Sequence, residues 1–488
     1  MWTRLGKLLQ IAQGDRPIIV ALLLQAFCTG IFVGTLELEA NTVFLEAFGA
    51  DRVPFARMVS GVAGIFIAAI YGYFSKQLKL RSFGILNLVV VIVVTVSFVG
   101  GLQYLERDYM DFATFVFSGP LILITLLGFW TTVRGFLSPS RGKQLAGLIE
   151  VVLVAGMTLA LLGIPLLVRA GFGIHEVLYA GMGTLTVAAI AQMYTLSRPG
   201  KQGGGYRSKS GSAGPIRLFS HKYTSSMATF AVIGVAVSVL LHYEFLAVTQ
   251  NRFPGGKELV EFLGFFLGIG VILAWILKRF LFHWIKRKFG IRLTLLILPV
   301  LLLFLTIPAS ILGEAYGYGG GMQMFAYFFL LVVLSNLFSR SMKESMEHPS
   351  MRIIYQSLNP RDRESIQSGI DGVFSQIGVF SAGLFLSLFV MFKFIELYHV
   401  SYVLSVLLLI WFLVGLSLYK SYHRLLKVTL ESDRVFDPSD LRLEEIEQFN
   451  IEQSSFSLEL IEFNQYFFHY VSRELELSLI SHAYHMLS

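Results

Sequence analysis

The sequence predicts an all-α membrane protein of twelve transmembrane helices, arranged as two six-helix bundles. Three observations carry that expectation. The 488 residues are 55% hydrophobic, 14% aromatic and only 15% charged, with mean hydropathy +0.67, a composition suited to a polytopic membrane protein. The apolar residues fall into twelve runs, each near the roughly 20 residues a helix needs to cross a hydrocarbon core. A spaced pattern then recurs once along the chain, so that it reads as two related halves.

In order, the runs centre on residues 17–36, 54–77, 83–104, 112–133, 145–168 and 175–196 in the first half. Those of the second half centre on 224–248, 258–282, 293–313, 321–340, 366–392 and 396–419. They are numbered spans 1 to 12. Span 1 follows Arg4, Lys7 and Arg16 and lacks a clear small-residue cleavage site, so it is expected to remain as a first helix. It holds Cys28, the single cysteine, which excludes an intrachain disulfide and CxxC chemistry.

The repeat joins spans 4 and 5 to spans 10 and 11, where GFWTTVRGFLSPSRGKQLAGLIE is echoed by NLFSRSM…NPRDRESIQSGID. In each copy a proline, Pro139 or Pro360, is followed by basic residues and then, at the same spacing, by an acid, Glu150 or Asp371. Glycines come next, Gly156 and Gly163 in one copy, Gly378 and Gly383 in the other. A weaker echo relates NTVFLEAFGADRVPFARMVSGVAG, at spans 1 and 2, to HYEFLAVTQNRFPGGKELVEFLGFFLG, at spans 7 and 8.

Between spans 6 and 7, SRPGKQGGGYRSKSGSAGP has the Gly and Ser content of a flexible linker. Six spans, a polar linker and six more spans is the plan of the major facilitator fold, two bundles around a central cavity. The expected domains are residues 1–197, a linker at 198–222, a second bundle at 223–427 and an acidic tail at 428–488. In the tail, apolar residues recur at helical spacing from Ile446 through Phe449, Leu458, Ile461 and Tyr466 to Val471, with Asp440 as N-cap. Short amphipathic cytoplasmic helices are expected there, packing on the basic inner face or on a protein partner.

Most of the 39 lysines and arginines lie in connections on the same side as the N-terminus, which predicts that both termini are cytoplasmic. That topology, with anionic lipid headgroups, accounts for the net charge of +7 without nucleic acid. The sequence has no glycine-rich phosphate loop, nucleophile elbow or His/Cys metal cluster, so no enzyme, cofactor or metal is expected.

Polar groups at membrane depth must face protein or water, which singles out the segment Ser335 to Gly383 with its Gln367, Asp371 and Gln376. In TLELEAN, Glu37 and Glu39 are two apart on a helix, so at most one faces the cavity. Glu37 reads either as a gating or coupling group or as an interfacial carboxylate. Arg134, Arg141 and Lys143 in the first half, with Arg340, Lys343, Arg352, Arg361 and Arg363 in the second, form two sets of cations. They suit an anionic substrate, for which guanidinium forks fit phosphate or carboxylate, or they serve topology and pair with Glu344, Glu347 and Glu364. Glu150 and Asp371 read as locks between the bundles or as static pairs. His242 and Glu244 read as a proton-coupling pair or as interfacial anchors. The basic turns SKQLKLRS and KRFLFHWIKRKFG lack the Asp that facilitators commonly carry with Arg there, and read as solvated loops.

The run SMKESMEHPSMRIIYQSLNPRDRESIQSGID resembles a segment of the nucleotide transporters of the ATP:ADP antiporter type. Lys343, Ser345, Pro349, Tyr355 and Leu358 match in register, and Asp371 falls where that family has an acid. Phe129-Trp130 with SRGKQLAGLIE is similar to the family's first-half turn, whereas His348 and Ser357 stand where it has Asp and Pro. The chain thus resembles a divergent bacterial member of the major facilitator superfamily. The resemblance implies a multi-pass protein of the bacterial inner membrane that moves an organic anion, a nucleotide or another phosphorylated metabolite, by alternating access. On this transport reading the expected substrate-binding residues are Lys343, Arg134, Arg340 and Tyr355, with Glu37, Glu150, Asp371, Arg141, Arg363 and Glu244 in gating or coupling. The alternative is a facilitator-fold membrane anchor or regulatory subunit that acts through its tail and transports nothing.

Overall fold

The computed structural model describes residues 16–77, 106–136, 139–197, 222–316, 325–358, 360–391 and 397–434, with scattered positions between 82 and 101. Most of span 3, the linker up to residue 221 and the tail from residue 435 lie outside these, including the helices expected between Asp440 and Val471.

Among the described residues there is no strand. In the first half, helices cover Arg16–Phe48, Val53–Gln77, Arg107–Phe136, Pro139–Arg169 and Ile174–Ser197, which are spans 1, 2, 4, 5 and 6. The second half opens with Lys222–Arg252 and Gly256–Ile276, spans 7 and 8. Span 9 lies in His283–Tyr316, and span 10 runs through Phe325–Met342 and His348–Gln356. Span 11 joins Pro360–Ser368 to Ser375–Met391, and span 12 lies in Leu397–Arg434. Several helices outrun their apolar runs: span 4 begins at Arg107 and carries Asp111 within it. Backbone hydrogen bonding continues into the interface where side chains already meet water, so hydropathy undercounts the ends. Spans 8 and 9 are separated by a break at Gly290, whose φ of 73° suits a residue without Cβ.

Three wide π-helical turns interrupt the second half, at Leu277–Phe282, Lys343–Glu347 and Gly369–Phe374. Such turns break the regular ladder and frequently mark functional positions. The spans belong to one compact unit, Met1–His423, and residues Arg424–Ser488 form a second.

Within that first unit, span 1 packs on spans 5 and 6, and span 7 on spans 10 and 11. The halves meet where span 2 lies on span 11 and span 5 on span 8. Span 1 starts at the face carrying the N-terminus, here termed proximal; even-numbered spans start at the distal face. Distal contact is close because glycines let backbones approach. A Cβ on Gly61 of span 2 would stand 2.5 Å from the Phe380 backbone nitrogen of span 11, and one on Gly383 would stand 2.4 Å from that of Met58. Distal polar contacts cross the same boundary. The Ala50 N–H donates to Gln250 Oε1 at 2.7 Å, and Arg169 donates from Nε and Nη2 to the Glu261 carboxylate at 2.7 and 2.6 Å. Large apolar side chains such as Phe66, Phe304 and Met391 point outward, as expected where the solvent is lipid.

Candidate functional site: a charged cavity between the halves

With the distal halves of the spans in contact, the space between the bundles lies in their middle and proximal parts. A cavity of about 910 Å³ is lined there by spans 1, 4 and 5 of the first half and spans 7, 8 and 10 of the second, with Arg57 from span 2. Its walls are largely apolar, with Trp130, Met157 and Val239 among them and Trp275 on span 8. Among the described residues, five cationic side chains enter it, Arg57, Lys278, Arg340, Lys343 and Arg352, against three carboxylates, Glu37, Glu150 and Glu344.

The groups toward the distal end cross the interface between the halves. Arg340 of span 10 donates from Nη2 to Glu37 Oε1 of span 1. One turn along span 1, Asn41 is 3.0 Å through Oδ1 from His242 Nε2 of span 7, and its amide nitrogen donates to the Glu37 carbonyl at 2.7 Å. The Arg57 guanidinium lies over the Phe115 ring, 4.6 Å from its centroid, a cation–π arrangement that leaves the charge without a carboxylate. Nearer the proximal end, Lys278 pairs with Glu150 across the same interface. Lys343 donates to Ser238 Oγ at 3.0 Å and to the Gly234 carbonyl at 3.3 Å, both neutral acceptors on span 7. Glu344 lies 3.4 Å from His348 Nδ1.

Of the residues singled out from sequence, Lys343, Arg340, Glu37 and Glu150 come together in this cavity. Glu39 is buried and does not line it, in keeping with the expectation that only one of the two glutamates faces inward. Tyr355 is 2% exposed and lies away from the lining, donating its hydroxyl to Asp371 Oδ1 at 2.8 Å. Asp371 also accepts from Gln367 Nε2 at 3.3 Å and makes no ion pair among the described residues. The two acids related by the repeat therefore sit differently: Glu150 bridges the halves, and Asp371 ties span 10 to span 11. Arg363 donates to the Gln356 and Leu358 carbonyls at 2.7 and 3.4 Å, holding the turn between those spans. Glu244 is buried outside the cavity and accepts from Ser401 of span 12, so it does not share a site with His242. The side chains of Arg134 and Arg141 lie outside the described residues.

Sequence reasoning passed over Arg57 and Trp275, met Trp130 only within the resemblance, and read Lys278 as part of a solvated loop, whereas it lies on a π-helical turn and enters the cavity. Arg57 carried a usable signal, a lone guanidinium inside the apolar run PFARMVSG. Lys278 carried none, because it opens a basic stretch that topology alone explains.

No protein-family profile matches the chain, and no curated protein matches it in sequence. Solved structures match it in shape. The nucleoside transporter NupG superposes with a TM-score of 0.58 at 15% identity, over 83% of this chain and 99% of that one. A bacterial homologue of the iron transporter ferroportin superposes in its outward-facing state with a TM-score of 0.55 at 15% identity, over 83% and 99% of the two chains. In its inward-facing state the TM-score is 0.53 at 14% identity, over 82% and 98%. At such identities the likeness is one of fold: the chain is an all-α membrane protein with the major facilitator architecture of two six-helix bundles.

Proposed function

We propose that the protein is a secondary transporter that moves an organic anion through the central cavity by alternating access. The observation that carries this reading is the charge imbalance in the lining. Arg340 and Lys278 have carboxylate partners across the interface, whereas Arg57 and Lys343 have none among the described residues. Arg57 rests on an aromatic ring, and Lys343 on a hydroxyl and a carbonyl. A partly buried cation with no ion pair of its own gains from an incoming anion, and a hydrogen bond to a charged group contributes about 1.5–3 kcal/mol. The solved structures of like shape are, by their descriptions, a nucleoside transporter and a bacterial homologue of an iron transporter, which supports the transport reading and leaves the cargo to the site. The resemblance around Lys343 favours a nucleotide or another phosphorylated metabolite, with Trp130 and Trp275 offering ring faces to a base.

The distribution of basic residues supports a cytoplasmic proximal face in a bacterial inner membrane. On that assignment the arrangement is closed to the outside at Gly61, Gly383 and the Arg169–Glu261 pair, and its cavity lies toward the cytoplasm. Alternating access then requires the Arg340–Glu37 and Lys278–Glu150 pairs to be remade as the bundles rock.

The test is uptake by proteoliposomes preloaded with unlabelled nucleotide, using labelled ATP, ADP and a panel of other organic anions. Saturable exchange that is lost in Lys343→Ala supports the reading and identifies the substrate class. Flux unchanged in that variant removes Lys343 from the site. No flux of any compound from folded protein defeats the transport reading and favours an anchoring or regulatory role.

A further inference from the structure

We propose that the cavity takes an elongated dianion, an organic acid with a carboxylate or phosphate at each end, and that Arg57 and Lys343 hold the two ends apart. The inference rests on the transport reading above and narrows its cargo.

The number of charges on the cargo follows from the charges in the wall. The five cations and three carboxylates that line the cavity among the described residues leave an excess of two positive charges. Arg340 with Glu37 and Lys278 with Glu150 cancel in pairs. Glu344 and Arg352 balance one another in sign and are both exposed toward the proximal end, where water screens them. Arg57 and Lys343 remain, each half-buried and without an ion pair among the described residues. Glu347, four positions after Lys343, is buried beyond the lining and makes no ion pair there either. A charge against apolar walls is costly where no counter-charge meets it. A cargo with one negative charge leaves one of these cations unmatched, whereas a dianion matches both.

The two cations stand at different depths. Lys343 meets span 7 at the Gly234 carbonyl and the Ser238 hydroxyl. His242, four residues further along that span and so about 6 Å more distal, meets Asn41 of span 1. Arg57 belongs to the distal end. It is four residues from the start of span 2 at Val53, and its guanidinium covers Phe115, whose ring stacks at 4.2 Å on that of Phe44, one turn past Asn41. The two positive ends are therefore on the order of 10 Å apart along the cavity. Between them the Arg340–Glu37 pair supplies its own counter-charge, and Met157 and Val239 offer apolar wall. A single carboxylate is too small to bridge such a gap through charge-assisted hydrogen bonds of about 2.7–2.9 Å. Two anionic groups at the ends of an uncharged body fit it.

The experiment measures binding to the purified, detergent-solubilised protein by calorimetry, so it needs no flux. One arm compares malonate, succinate, adipate, suberate and sebacate with octanoate, which matches suberate in length and carries one charge. A second arm compares hexamethylene bisphosphate with hexyl phosphate, and ADP is measured beside both. Affinity is expected to peak at an intermediate length of diacid or with the bisphosphate, the best dianion binding about 10- to 100-fold tighter than its single-charge match. The arm that responds names the end group. In Arg57→Gln and in Lys343→Gln the ratio of dianion to monoanion affinity falls to about one. Should either variant fold poorly, the series on wild type still decides. Equal affinity for matched single and double charges overturns this inference and leaves the transport reading in place. So does malonate binding as tightly as the longer diacids, or ADP binding where neither series does. Wild type that binds none of these anions and moves none in proteoliposomes overturns the transport reading and this inference with it.

Discussion

Arg340 and Glu37 lie 303 positions apart in the chain and form an ion pair across the interface between its two halves. Glu37 comes from the middle of the first span and Arg340 from the tenth, so each half holds one charge of the pair. Both side chains line the cavity and are partly exposed to it. Burial makes a broken pair costly, because each charge is then left without its partner in a poorly hydrated site. Access to the cavity lets water or an anion take over one partner, so the contact is separable. Those two properties together fit a contact that is remade in each cycle.

A double-mutant cycle on this pair is expected to show coupling. Glu37→Gln and Arg340→Met each lower the stability of the purified protein. The double variant is expected to lose less than the sum of the two, by about 0.5–3 kcal/mol, the range for charged neighbours in contact. Unfolding measurements on the four proteins check it. Losses that add within about 0.5 kcal/mol mean that the pair is idle in the resting state.

Arg57 is expected to be the most sensitive single position for anion affinity. Its guanidinium stands over Phe115 with no ion pair among the described residues, so it is open to a forked acceptor. Arg57→Gln is expected to weaken binding of the transported anion by about 10- to 100-fold, the equivalent of one or two charge-assisted hydrogen bonds. Arg57→Lys keeps the charge and loses the planar fork, and should fall between wild type and Gln. Equilibrium binding of the labelled anion to detergent-solubilised protein gives the ranking, and equal affinities across the three proteins would remove Arg57 from the site.

The distal seam offers a test of closure. A side chain on Gly61 or Gly383 has no room, since its Cβ alone would stand 2.5 or 2.4 Å from backbone nitrogen of the facing span. Backbone cannot yield as a flexible side chain can, so Gly61→Val and Gly383→Val are expected to push the distal halves apart. Cys28 is the single cysteine, so a Cys28→Ser background allows Val239→Cys, in the cavity lining, to report access. Labelling of that position by an impermeant maleimide from the distal face should rise about tenfold in either glycine variant, a shift of about 1.4 kcal/mol in the closed-to-open balance. Unchanged labelling means that the seam closes by other contacts.

These sites differ in how far the sequence disclosed them, and the difference is physical. Span existence was legible because a membrane crossing demands a long apolar run, a local property that needs no knowledge of neighbours. The cavity position of Glu37 and Arg340 was only half legible, since the same residues read equally as an interfacial carboxylate and a topology-setting cation. Partners were not legible. Glu150 was expected to pair with a nearby cation, and its partner is Lys278, which is distant in sequence and reaches it only because span 5 packs on span 8. The repeat placed Glu150 and Asp371 at equivalent positions, but a hydroxyl from Tyr355 occupies Asp371, and no repeat records a neighbour's side chain. Glu347 was hidden for the same reason. In the sequence it is one acid beside basic residues, and its burial against Gly234 and Trp411 appears only in the fold.

The Arg169–Glu261 pair is the opposite case from Arg340–Glu37. Its geometry is bidentate, at 2.7 and 2.6 Å, yet the Arg169 and Glu261 side chains are 56% and 26% exposed. Solvent screening and the entropy of fixing two long side chains leave such pairs with little net stabilisation. Arg169→Gln is therefore expected to leave global stability close to that of wild type. It still crosses the distal seam, where a fraction of that energy biases a balance between closed and open arrangements. The variant should raise distal labelling of Val239→Cys by no more than about fivefold, less than either glycine variant does. The order of the two effects is the discriminating result. If Arg169→Gln opens the distal face further than Gly61→Val, closure depends on this surface ion pair and the close helix packing at Gly61 and Gly383 follows from it.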